Sequence, residues 1–390
     1  MADQQNIVVT DMLHKLHEIA GLAEDQAQCL PGQFYTNPDF YQYEVQTLLK
    51  KQWHCLGRAD ELANPGDFFT THLFEEPLLV VKGDDGHIRT LSNLCRHRGM
   101  PLAEGRGATR RFVCSYHAWS YGRDGQLANA PRMQDKGVNA KNCSLPSFKT
   151  ELWNGFIYVN LDDDAAPLAP QLPKLEALLG NYQTEQMRIV HSQEEIWNTN
   201  WKCLVENFME AYHLSVVHPS TLHPYTPTAL SRKAESDDAF TSYCANYPDS
   251  AETRGMGAPG LSEQERKRST LFCVFPTQIV SQAATLLVSL SIQPLAVDKI
   301  MVRWTLSTYA DELSPEALQS RLALWDEVNR EDREKLERMQ RGLASRHAPS
   351  GHLSPRDFEG TIWDFYRYLA RAMPLPNAAP TLKLFAHTPA

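Results

Sequence analysis

The sequence predicts an α+β fold, in which a small all-β unit precedes a larger domain that packs an antiparallel sheet against a long helix. Three observations predict it. Short β-type runs ("PLLVVKG", "IRTLSNLC", "RFVCSYH") alternate with Gly/Asp turns such as "KGDDGH" and "GRDGQ" across residues 50–150. A second β-rich block occupies 270–309. After it, "LQSRLALWDEVNREDREKLERMQRGL" carries apolar residues at helical spacing.

In chain order, residues 1–49 form an N-terminal segment whose stretch "PDFYQYEVQTLLKKQ" (38–52) reads as an amphipathic helix. The β unit follows over 50–150. The strand "GFIYVNL" (155–161) and the loop "DDDAAPLAPQLP" lead into the second domain, 151–390. That domain is expected to hold a helix at 200–213, the β block at 270–309, and helices near 315–345 and 355–372.

A chain of 390 residues with 42% hydrophobic and 22% charged residues can build a sizeable core. Its net charge of −9 argues against nucleic-acid binding, which needs a concentrated basic surface. It has no apolar run of membrane-spanning length. The N-terminus lacks a charged n-region, an apolar h-region and a cleavage site, so a cytoplasmic protein is expected. The eight cysteines are scattered rather than arranged as a disulfide framework. Only Cys95 and Cys114 have histidines at ligand-like spacing. The other six are expected to be buried small hydrophobes.

Cys95-x-His97 and Cys114-x2-His117 each pair one thiol with one imidazole. A zinc site usually takes two cysteines from one element and two histidines from another. Interleaved pairs suit a binuclear cluster, one iron held by the two cysteines and the other by the two histidines, as in a Rieske [2Fe–2S] centre. A small zinc site is the plainer alternative.

The stretch "NWKCLVENFMEAYHLSVVHP" (200–219) suggests a second metal site. On a continuous helix, Trp201, Leu204, Val205, Phe208 and Tyr212 form one apolar face, and Asn207, Glu210 and His213 lie together on another. His218 is out of phase with His213, but Pro219 biases it away from helical geometry, so the chain can swing His218 back towards His213. Two imidazoles aimed at one point suit non-haem Fe(II) when a carboxylate joins them. Asp332 sits on the apolar stripe of the later helix between Val328 and Leu336, where an ionised carboxylate is costly unless paired or bound to metal. Glu331 and Glu334 are expected to point off that stripe. The plainer reading pairs Asp332 with an arginine.

With these residues in hand, the sequence resembles the Rieske non-haem iron oxygenases, the α subunits of ring-hydroxylating and related oxygenases. The likeness rests on Cys95-x-His97, Cys114-x2-His117, Glu210-x2-His213-x4-His218, and Asp332 followed by "MQRGLASR". It implies an N-terminal Rieske domain, a helix-grip catalytic domain of START-like fold, and a homotrimer. It also implies a [2Fe–2S] cluster, a mononuclear Fe(II), O2 as cosubstrate, and a separate NAD(P)H-dependent reductase with or without a ferredoxin. Many ring dioxygenases carry aspartate where this chain has Glu210. Glutamate there is similar to members acting on quaternary or N-methyl ammonium compounds, so hydroxylation or demethylation of such a small molecule is expected, with aromatic-ring dioxygenation as the alternative. Phe208, Tyr212, Trp304 and Tyr309 are available for cation–π contact, with core packing as the plainer role of each. Glu210 and Asn207 are assigned to the catalytic site. Glu210 is expected to bridge the two metal centres across a subunit boundary rather than to bind iron.

Two rival functions are an electron-carrying Rieske protein and a structural zinc protein. Visible absorption separates the zinc protein, and iron content separates the carrier. "GMGAPG" (Gly255, Gly257, Gly260) matches G-x-G-x-x-G but lacks the preceding strand of a dinucleotide site, so it reads as a mobile loop.

Overall fold

The computed structural model describes residues 2–133, 136–138, 141–251, 255–309 and 313–375. Two seven-stranded antiparallel sheets dominate it, with a small three-stranded sheet beside the first. The first sheet takes strands His54–Arg58, Asp67–Leu73, Glu76–Lys82, Ile88–Ser92, Arg106–Ala108, Ser147–Trp153 and Phe156–Asn160. It thus runs past residue 150, because Phe156–Asn160 lies between Ser147–Trp153 and His54–Arg58. "RFVCSYH" contributes only the two-residue strand Phe112–Val113, since the chain turns at Cys114.

The second sheet runs from Arg188–Trp197 at one edge to Ser231–Lys233 at the other, with Lys299–Thr308, Leu287–Ala296, Gln278–Gln282, Arg268–Val274 and Phe240–Asn246 between them. Its core is shared with helices Trp201–Phe208, Pro315–Leu343 and Gly360–Ala372. Among the described residues no helix is long and apolar enough to cross a membrane.

The long helix starts where Ser314 accepts from the Ala317 N–H, with Pro315 at its first turn. Trp325, Val328, Asn329, Asp332, Leu336 and Gln340 form its buried stripe. The expected helix 38–52 ends at Thr47 and passes into a 3₁₀ turn, Leu49–Lys51. A helix not anticipated, Ala2–Ala20, buries Met12, Leu13, Leu16 and Ile19 and packs on Gly360–Ala372. All eight cysteines are free; four of the six without histidine neighbours are buried, whereas Cys29 and Cys143 are half-buried.

The expected helix 200–213 is instead two pieces. Asn200 caps the first, which runs only to Phe208, and a second short helix spans Leu214–Val217. The break has identifiable causes. The Thr361 hydroxyl donates to the Met209 carbonyl, and the Tyr243 hydroxyl lies within hydrogen-bond reach of the Phe208 and Glu210 carbonyls. The Glu210 carboxylate meanwhile takes the backbone N–H groups of Tyr212 and His213. Asn207, Glu210 and His213 therefore do not share a helical face. Tyr212 is not part of the apolar face either: it is 63% exposed and stacks on Phe358.

Behind that first piece, Lys202 and Glu44 are fully buried and paired, with Nζ 2.7 and 2.9 Å from the two carboxylate oxygens. Lys202→Met leaves Glu44 buried without its cation, so a loss of about 3–5 kcal/mol is expected. Urea unfolding of Lys202→Met and of the double variant Glu44→Leu/Lys202→Met checks this, the double variant recovering most of the loss.

Candidate functional site

Two loops of the first domain carry the Cys/His pairs, and their backbones match. In one, Gly99 N–H donates to the Cys95 carbonyl at 2.9 Å and Cys95 N–H to Met100 at 2.8 Å. In the other, Ala118 N–H donates to Cys114 at 3.0 Å and Cys114 N–H to Trp119 at 2.8 Å. Gly99 and Ala118, the fifth residue of each turn, both have positive φ, at +72° and +55°. Glycine takes this at no cost; alanine does so with strain, held here by the two flanking bonds.

Both sulfur atoms point inward and both imidazoles outward. Cys95 and Cys114 are 2% and 3% exposed, within a cluster that includes Leu79, Leu91, Trp119 and Tyr121. His97 and His117 face each other, their Nδ1 atoms 3.1 Å apart, and His97 stacks on Trp119. The Tyr121 hydroxyl lies 3.4 Å from the Cys95 sulfur and accepts from Arg96 N–H. Among the described residues, none of these four joins a group of three close enough to share one ion. That spread suits a two-metal cluster better than a single zinc.

In the second domain His213, His218 and Asp332 converge, their ligand atoms all within 4.8 Å of one another. Asp332 Oδ1 is 3.0 Å from His218 Nε2 and 3.7 Å from His213 Nε2. Each histidine turns its other ring nitrogen to a glutamate. His213 Nδ1 lies 2.5 Å from Glu210 and His218 Nδ1 2.7 Å from Glu331. Such backing fixes ring orientation and leaves Nε2 as the free donor atom. Glu210 thus reaches His213 from a non-helical backbone. Glu331 was not singled out from the sequence; it faces His218 and also accepts from Thr221 Oγ1 at 2.8 Å. Its signal was Thr221 three residues after His218, opposite a carboxylate next to Asp332.

Asn207 donates from its amide nitrogen to Asp332 Oδ1 at 3.3 Å, and its own carbonyl oxygen is buried without a partner. The triad sits in a space of about 410 Å³, its opening to solvent included, walled by Trp197, Phe208, Tyr243, Leu271, Leu290 and Trp325. Of the aromatic residues offered from the sequence, only Phe208 lines it. Trp304 is buried in the sheet core, and Tyr309 bonds to the Tyr182 carbonyl. The G-x-G-x-x-G match is a packed loop rather than a loose one. A Cβ on Gly257 would collide with the Ala284 carbonyl, and Arg266 holds the carbonyls of Met256, Ala258 and Leu261.

The chemistry of these donor sets fits the groups they resemble: two thiols and two imidazoles on paired loops, and two imidazoles with one carboxylate in a walled pocket. Residues 52–149 match the model for the Rieske [2Fe-2S] domain, and residues 181–375 that for the ring hydroxylating alpha subunit catalytic domain. The molecule is therefore a two-domain iron–sulfur and mononuclear-iron protein. The chain belongs to the ring-hydroxylating α-subunit family, whose domains carry a Rieske cluster and a mononuclear iron that works with O2.

The chain is 31% identical over 211 residues to the carnitine monooxygenase oxygenase subunit of Acinetobacter pittii, covering 53% of this chain and 57% of that protein. It is 32% identical over 207 residues to the benzene 1,2-dioxygenase α subunit of Pseudomonas putida, covering 51% and 46%. The chain thus spans about half the length of these relatives. A crystal structure of a quaternary ammonium Rieske monooxygenase shares the fold, with a TM-score of 0.81 at 22% identity over 91% of this chain and 98% of that one.

Burial draws the pKa of each site histidine down, and the carboxylates more than reverse this: Glu210 and Asp332 for His213, Asp332 and Glu331 for His218. Both therefore stand above the ordinary histidine value. In the metal-free protein these groups stabilise the fold fully below the unfolded-state pKa and cease to as pH rises through the raised one. A metal must displace the same protons. Titration of metal-free protein with Fe(II) is expected to weaken from about pH 8 to about pH 6 with proton uptake by the site. Glu331→Gln should lower the His218 pKa, read by NMR of the ring nitrogens.

Proposed function

We propose that this chain is the oxygenase component of a Rieske non-haem iron system, with the domain division expected at 50–150 and 151–390 moved to follow Asn160, the last residue of the first sheet, and residues 1–49 as the N-terminal segment. His213, His218 and Asp332 are the Fe(II) ligands; Cys95 and Cys114 hold one iron of the cluster, His97 and His117 the other. The convergence of His213, His218 and Asp332, each histidine backed by a glutamate, carries this reading. When bound, the two metal groups supply O2 activation, using electrons from a separate NAD(P)H-dependent reductase.

The chain's residues do the rest. Glu210 and Glu331 hold the two imidazoles with Nε2 turned inward. Asn207 steadies Asp332 through its amide. The apolar walls, Leu271 and Leu290 among them, exclude water and place the substrate beside the triad. The substrate is a quaternary or N-methyl ammonium compound that is hydroxylated or demethylated. Supporting this are the rings of Phe208, Tyr243 and Trp325 on the pocket wall, which suit a cation, and the carnitine monooxygenase relative. Aromatic-ring hydroxylation is the second reading, favoured by the benzene dioxygenase relative. Substrate-dependent NADH consumption across amine and aromatic panels, with a generic reductase, separates them.

Glu210 also links the two centres. It sits 12% exposed beside the largely exposed Tyr212 and Val216, so a cluster histidine of a neighbouring copy in a homotrimer can approach it. Glu210→Gln is expected to keep both metals and a reducible cluster while slowing cluster reoxidation, followed by rapid mixing of reduced protein with substrate and O2. Reoxidation at the wild-type rate rules the bridge out.

Metal analysis tests the ligand sets. Wild type is expected to hold about three irons per chain with acid-labile sulfide. His213→Ala and Asp332→Ala fall to about two with the visible spectrum intact, and Cys114→Ser bleaches that spectrum. Oxygenation by an iron-depleted Asp332→Ala protein would sink the assignment.

A further inference from the structure

A second space of about 650 Å³, its open mouth included, lies beside the triad's, and Leu222 and Trp325 line both. One sheet face floors the two. Successive side chains of a strand point to opposite faces, so residues two apart share a face. On strand Arg268–Val274, Ser269 lines the second space and Leu271 the triad's. On strand Leu287–Ala296, Val288 and Leu290 divide in the same way. The two spaces are therefore one trough along the sheet. Its outer part carries hydroxyl side chains, Ser269, Ser281 and Thr226, and its inner part holds the triad.

Trp325 enters this trough from the long helix. It stands seven residues before Asp332 on the same helical face, about 10 Å from it along the axis. The residue is 8% exposed and belongs to the core cluster, so packing holds the indole in place. Leu222 comes from a different element, the loop after His218. Its carbonyl accepts from the Tyr225 and Thr226 N–H groups, each at 2.9 Å, and from Thr226 Oγ1 at 3.1 Å. The preceding Thr221 donates to Glu331, the glutamate behind His218. Core packing thus fixes one side of the partition, and a closed turn tied to the site fixes the other.

We infer that Trp325, together with Leu222, sets the largest substrate that reaches the triad, and that the outer part of the trough opens to substrate only when this wall is cut back. This rests on the reading of the triad's pocket as the substrate site. The limit is one of length along the trough, not of charge, so it holds for an ammonium compound and an aromatic ring alike. A molecule longer than the inner part must drive its tail into a packed indole, and overpacking is costly. A shorter one leaves the indole untouched.

The test is equilibrium binding to the full-length, metal-loaded protein by calorimetry, with two series graded in length. One is the alkyltrimethylammonium ions from ethyl to decyl. The other is the alkylbenzenes from toluene to pentylbenzene. In whichever series binds, wild-type affinity is expected to rise with length, then to fall at least about tenfold at the first member that reaches the indole. Trp325→Ala is expected to move that fall to a longer member, and Trp325→Phe and Leu222→Ala to move it less far. If the indole only stabilises the core, Trp325→Ala weakens every member by the same factor and the fall stays where it was, which overturns the inference. The inference is also overturned if wild-type affinity climbs through a series without a fall, or if no member of either series binds. Should Trp325→Ala not fold, an unmoved fall in both Trp325→Phe and Leu222→Ala overturns it.

Iron and acid-labile sulfide are measured on the same samples. A length limit that moves with Trp325 in protein that takes up neither metal group keeps the wall and removes the oxygenase reading. Full metal content with an unmoved limit does the reverse.

Discussion

Asp332 Oδ1, 3.0 Å from one imidazole nitrogen and 3.7 Å from another, is the point on which the second domain is organised. Three groups that compete for one proton or one cation do not stay this close without support. A carboxylate 11% exposed and a histidine fully buried would each turn away to water if their neighbours allowed it. The support comes from the outer side of each ring. Glu210 and Glu331 give the histidines hydrogen-bond acceptors that match their orientation, and Asn207 does the same for Asp332. The site is thus an alternation of carboxylate and imidazole, in which each group is satisfied only when its neighbours are in place.

That alternation explains the interrupted helix. A continuous helix through residue 213 would need the Met209 and Glu210 carbonyls as acceptors for its own backbone. Instead the Thr361 and Tyr243 hydroxyls bond to them from distant segments, and the Tyr212 and His213 N–H groups that would continue the helix go to the Glu210 carboxylate. The second domain spends a helical turn to aim two imidazoles at a carboxylate on another helix. Gln340, on the same long helix as Asp332, bonds to Asn200 N–H and to the Tyr35 carbonyl, which fixes the two helices relative to each other.

What could be read from the sequence follows from how local each feature is. Cys95-x-His97 and Cys114-x2-His117 were legible because one turn of backbone presents both side chains of each pair. Asp332 was legible because an acid on an apolar stripe is anomalous in a helix of any context. The α+β class, the β block and the long helix follow from periodicity. The end of the helix at Phe208 was not legible, since it depends on Thr361 and Tyr243, more than thirty residues away in the chain. Glu331 was missed because helical phase placed it beside the stripe, and only the return of His218 brings it a partner. Which rings line the pocket was not legible for a related reason. Tyr243 and Leu271 pair across neighbouring strands, so register, not composition, decides which ring faces the pocket.

The carbonyls that end the helix are held by hydroxyl groups of the sheet and of the last helix, not by anything a metal supplies. The kink at Met209 is part of the fold, set by contacts that lie away from the donor atoms. One practical corollary is that a well-folded preparation is no guide to occupancy. Secondary-structure spectra and chromatographic behaviour report on the scaffold alone, and samples of very different activity can pass through purification as a single species.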